Sequence, residues 1–133
     1  SPPHPFSHPL NRLTPKAAMS LSADDELSHY SAFMSESDLA TLKGLLHDKS
    51  QSLVNVEDKQ NNAEKCKRRA DRQEAVMCAV VPQDIGVTRF LEMLEDTKKI
   101  HLEAAAASSR LSHAIGEKAE ILKAIMHVIG EYN

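Results

Sequence analysis

Hydrophobic positions fall into three stretches of different spacing along the 133-residue chain. In the first, Leu27, Tyr30, Phe33 and Met34 follow a Ser22 cap and the acidic triplet Asp24, Asp25 and Glu26. Carboxylates in a first turn favour a helix, so the spacing predicts a short amphipathic helix over about residues 23–35. The second stretch is much longer. Leu39, Leu42, Leu46, Leu53 and Val56 keep four-three spacing with Lys49 interrupting, and the seam then weakens to Gln60 and Ala63 before slipping in phase to Cys66, Ala70, Gln73, Met77 and Val80. With Ser35 or Ser37 as a cap and no proline before Pro82, this predicts one long helix over about 37–80 with a broken heptad.

Beyond Pro82 the repeat is cleaner. Phe90, Leu94, Thr97, His101, Ala104, Ser108, Leu111, Ile115, Lys118, Leu122, Ile125, Ile129 and Tyr132 alternate four-three steps, and a flanking column of Leu91, Ile121 and Val128 widens the stripe. A second long helix over about 84–131 is therefore expected, with enough apolar width to touch more than one neighbour. Nearly equal lengths suggest an antiparallel hairpin, coiled-coil-like, in an all-α fold; a single helix kinked at Pro82 is the competing arrangement. Folding back near position 83 sets the basic run Lys65, Lys67, Arg68, Arg69 and Arg72 beside Glu92, Glu95, Asp96 and Glu103. Ala104–Ala107 would face the polar stretch 58–63, so burial should concentrate away from the turn, where the short N-terminal helix covers it.

Composition changes this picture at the N-terminus. Five of the six prolines fall in the first fifteen residues, which predicts a disordered or extended arm over 1–22 and a helical domain over 23–133. The arm's basic, acid-free character also fits a targeting remnant, although its prolines oppose the amphipathic helix such a sequence needs. Elsewhere the chain has 4% aromatic residues, 26% charged residues and a net charge of −3. That balance favours helix over sheet and argues against a whole-surface nucleic-acid binder. No apolar run is long enough to cross a membrane as a helix.

Candidate chemistry is sparse. Cys66 and Cys78 lie twelve residues apart on one predicted helix, about 18 Å at 1.5 Å per residue, too far to bridge. His101 and His113 stand about three turns apart and share no metal; His101 falls on the predicted seam, where a satisfied interior histidine is expected. Glu26 and His29 form a Glu-x-x-His pair without the second such motif a dinuclear site needs. No phosphate-binding glycine loop or nucleophile elbow occurs. The run KCKRRADR places bases on one helix as a leucine-zipper basic region does, but Pro82 arrives before a zipper could follow. No catalytic, cofactor or metal site is expected, and no small-molecule substrate.

The functional expectation is a non-enzymatic coiled-coil structural or adaptor subunit that assembles with itself or with another helical protein. Leu111, Ile115, Leu122, Ile125 and Ile129 are the expected partner-binding stripe. Lys65, Lys67, Arg68, Arg69 and Arg72 are expected to set the hairpin register; the alternative is that they bind an anionic surface, membrane or nucleic acid. An intracellular, cytoplasmic setting is expected, with nucleus or organelle as alternatives.

Overall fold

A computed structural model describes residues 27–132. The arm expected over 1–22 and the acidic first turn of the expected short helix lie outside the described residues. Three helices follow in order: α1 (Glu36–Ala79), the single turn α2 (Pro82–Ile85) and α3 (Val87–Gly130). No strand occurs among the described residues. The chain is a helical hairpin in which α1 and α3 pack together.

Each boundary has a local cause. Residues 27–34 wind in successive turns, closed by the Tyr30 N–H on the Leu27 carbonyl and the Met34 N–H on the Tyr30 carbonyl. Ser35 then caps α1: its Oγ accepts the Asp38 N–H at 3.2 Å, satisfying one of the helix's free donors. Glu36 and Asp38 add negative charge to that positive helix end. At the other end, Val81 is extended (φ −103°, ψ 113°), as the residue before a proline should be. Pro82 opens α2, where a missing N–H costs nothing. Gly86 donates its N–H to the Pro82 carbonyl at 3.0 Å, and its own carbonyl accepts the Phe90 N–H at 3.1 Å to start α3. Its φ of 87° is a conformation that a side chain would strain. The sequence VPQDIG thus reverses the chain, and the kinked single helix is not formed.

The hairpin divides into two compact units, one taking in the chain up to Leu53 together with residues from Lys118 onward, the other Val54–Glu117. In the first, Met34, Leu42, Leu46 and Ile125 form a buried cluster. Leu27, Tyr30, Leu39, Leu45, Ile121, Val128, Ile129 and Tyr132 pack around it. Burying side chains of this size stabilises by about 1.5–3 kcal/mol each. Tyr132 fastens the cluster's edge. Its hydroxyl donates to Asp38 Oδ2 and accepts the Ser35 N–H, and its ring meets Phe33 edge to face at 6.0 Å.

The second unit contains the turn and has a different interior. On α1 the covered positions are Asn55, Val56, Lys59, Ala63, Cys66, Ala70, Gln73 and Met77, with Val80 just past its end. On α3 they are Phe90, Met93, Thr97, Ile100, Ala104, Ala107, Leu111 and Ala114. From Val56 onward both sets alternate three-four steps, so the phase slip expected between Ala63 and Cys66 does not occur: Lys59, not Gln60, is the half-buried position. Likewise Met93, Ile100, Ala107 and Ala114 are covered, where Leu94, His101, Ser108 and Ile115 were expected. The two phases share every seventh residue and differ by one position at the others. The phase adopted keeps the His101 imidazole and the Ser108 hydroxyl out of the interior and puts Ile100 and Ala107 inside.

Candidate docking surface

Choosing that phase leaves uncovered a mixed column, aliphatic at its ends and mostly polar or small between them. In the second unit, Leu91 is 58% exposed, Leu94 42%, Leu102 59% and Ile115 49%, on a helix whose other face already packs on α1. Leu91, Leu94, Lys98, His101, Ala105, Ser108, Ser112 and Ile115 repeat at three-four spacing, so they form a second stripe adjacent to the seam. One full charge occurs in these eight positions, and Lys98 is held by Glu95 in its own helix at 3.8 Å. The column's large aliphatic side chains are Leu91 and Leu94 near one end and Ile115 at the other.

The five residues expected to form the partner stripe divide between two roles. Ile125 is buried in the first unit's core, and Ile129 packs against it. Leu111 is half-buried in the second unit's seam, whereas Ile115 and Leu122 are exposed. Met126, also exposed, follows Leu122 by one turn within the first unit. Sequence reasoning found a flanking column in Leu91, Ile121 and Val128 but missed that Leu94 and Ile115 lie outside while Met93 and Ala114 face inward. Leu91 beside Phe90, and Leu94 beside Met93, were the signal for it.

The basic run is distributed around α1. Arg69 Nη1 reaches Glu103 Oε2 of α3 at 3.1 Å, and Lys67 Nζ pairs within α1 with Asp71 at 3.3 Å. Glu92 and Glu95, expected to face Arg69 and Arg72, are instead taken by Arg89 and Lys98 within α3. Lys65, Arg68 and Arg72 are exposed and, at three-four spacing, share one outward face. Among the described residues none of these three holds an ion pair.

Besides Arg69–Glu103, two further polar contacts cross between α1 and α3 inside this unit. Gln73 Nε2 donates to Thr97 Oγ1 at 2.9 Å, and that hydroxyl donates in turn to the Met93 carbonyl at 2.7 Å. His101, expected in the interior, is exposed, with Nε2 3.5 Å from Glu74. Beside the small residues of the seam lies an open groove of about 510 Å³, lined by Asn55, Lys59, Ser109, Arg110, His113, Ala114 and Glu117. Its chemistry is mixed, since His113 Nε2 sits 2.7 Å from Glu117 Oε1. Cys66 is half-buried and Cys78 exposed, both as free thiols. Among the described residues no group of three His, Cys, Asp or Glu could hold a metal ion, and no helix is long and apolar enough to cross a membrane. No family model, curated protein or solved structure matches the chain.

Proposed function

We propose that the protein is a non-enzymatic helical subunit that docks a further helix onto the outer stripe of α3. The observation that carries this reading is the exposure of Leu91, Leu94 and Ile115 in one column, with Leu102 exposed to its side, on a helix that already covers another face. Covering aliphatic area contributes about 25 cal/mol per Å², and a stripe of this length has no other means of leaving water. The partner is a helical protein or a second copy, and recognition proceeds by side chains fitting between those of the facing helix. Intracellular assembly suits this role.

A second reading is favoured by Lys65, Arg68 and Arg72, which share an outward face and hold no carboxylate among the described residues. That face would bind an anionic surface by releasing counterions, with an affinity that falls steeply with salt. Photo-cross-linking residues placed in the full chain at Leu91 and, separately, at Arg68 discriminate the two. Adducts at Leu91 to another helical polypeptide or to a second copy, retained in high salt, support helix docking. Adducts confined to Arg68 and lost in high salt would overturn it in favour of the anionic surface.

A further inference from the structure

The two helices keep one register through the second unit, and on one flank that register sets a cation opposite no acid. Gln73 on Thr97 fixes the register inside the seam, and Arg69 on Glu103 fixes it on the flank. Paired helices repeat their contacts every heptad. One heptad farther from the turn, Asn62 stands where Arg69 stood and Arg110 where Glu103 stood. A guanidinium therefore comes opposite a neutral amide, where the preceding layer has an ion pair. A further heptad brings Asn55 opposite Glu117, and both of these line the open groove of about 510 Å³.

Arg110 lines the same groove together with Lys59, which is half-buried. Among the described residues neither Arg110 nor Lys59 holds an ion pair. The one acid of the groove is already engaged, since Glu117 Oε1 lies 2.7 Å from His113 Nε2. Ala114, at 2% exposure, and Ser109 are short side chains, which leaves room beside the two cations. We propose that this groove binds an oxyanion, a carboxylate or phosphate group supplied from outside the chain, between Arg110 and Lys59. The anion takes the place of the carboxylate that α1 lacks at Asn62.

Each part of the groove suits that ligand. A guanidinium offers parallel N–H donors to two oxygens of a carboxylate or phosphate, and an ammonium adds a compact point charge. The Asn55 amide and the Ser109 hydroxyl supply neutral donors for the remaining lone pairs. Lys65, Arg68 and Arg72 differ, because all three are exposed on a single helix and share no groove with the other. No residue of the outer α3 stripe takes part, so oxyanion binding and helix docking can fail separately.

The test titrates the full chain, at constant ionic strength balanced with chloride, with inorganic phosphate and separately with glutarate, a free analogue of a glutamate side chain. Amide and arginine Nε–H resonances should shift saturably and chiefly at residues 55–59 and 109–117, with a dissociation constant on the order of 1 mM. Tighter binding of phosphate would assign the site to a phosphate group, and tighter binding of glutarate to a carboxylate. Asn62→Glu supplies the missing carboxylate from α1 itself and should weaken both ligands at least about tenfold, as should Arg110→Gln. Asn62 and Arg110 are both exposed, so helicity by circular dichroism should be unchanged in either variant. Shifts that do not saturate, shifts centred on Lys65–Arg72, or binding indifferent to Asn62→Glu would each overturn the proposal.

Discussion

Leu42, Leu46 and Ile125 fill the interior of one unit of the hairpin, while Ala107 and Ala114 are the buried hydrophobic residues of the other. Both units are built from α1 and α3, and both follow a three-four repeat, so the spacing does not separate them; side-chain volume does. In the first unit a third segment, residues 27–34, closes over the pair and Tyr132 ties it down. In the second, only Ala107 and Ala114 are fully buried among the hydrophobic residues; the larger seam residues Val56, Met77, Phe90, Met93, Ile100 and Leu111 are half-buried beside the Gln73–Thr97 contact, and Leu91, Leu94, Leu102 and Ile115 are left outside. Two helices that meet through alanines approach closely but remove little apolar surface from water. The first unit is organised as a core. The second is organised as a surface.

The sharpest way to break this contrast is in the core. Leu42 is completely buried, so Leu42→Ala should destabilise the chain by about 2–5 kcal/mol through lost transfer energy and the cavity left behind. A loss below about 1 kcal/mol in urea unfolding would mean that the cluster is not what holds the first unit. In the second unit the corresponding perturbation is enlargement. Ala107→Leu should cost about 1–3 kcal/mol by forcing the helices apart, and a stabilising result would show that the seam there holds unfilled space.

Smaller effects sharpen the comparison at each unit's polar contacts. Tyr132→Phe removes the hydroxyl shared by Asp38 and Ser35 and should cost about 0.5–1.5 kcal/mol; an unchanged midpoint would show that ring packing alone secures that edge. Arg69 and Glu103 are both more than half exposed, so a double-mutant cycle between them should return only about 0.2–1 kcal/mol. A coupling of zero would deprive the basic run of a role in register. The same cycle between Arg69 and Glu92 should show none, since Glu92 pairs with Arg89.

Most of the architecture was legible in the residues, for identifiable reasons. Ser35 as a cap, the long proline-free helical stretch and Pro82 at its end each report backbone geometry, which sequence encodes locally, whereas Gly86 as the reversal residue went unread. Which of two adjacent columns faces inward was harder to read. Leu94 and Ile115 are more hydrophobic than a Met93 and Ala114 interior requires, so choosing the most apolar column placed the seam one residue away at alternate layers of α3. On α1 the same preference for Leu39, Leu46 and Leu53 carried the seam to Gln60 and forced a slip before Cys66, because half-buried Lys59 does not look like a seam residue. Charge partners were legible only in part. Glu103 was among the acids expected beside the basic run, but neighbours in the same helix compete for Glu92 and Glu95 at shorter range.

Hydrogen–deuterium exchange along α1 and α3, measured at low and at high protein concentration, tests the division into core and surface most directly. Amides of residues 42–53 and 118–129 should exchange slowest at both concentrations, since opening them exposes the buried cluster. Amides of residues 91–115 should exchange faster than these at low concentration, since opening them exposes less buried apolar area, and any slowing as concentration rises would identify a second copy as the partner. Uniform protection at both concentrations, or slower exchange in 91–115 than around Leu42 in the dilute chain, would contradict the account.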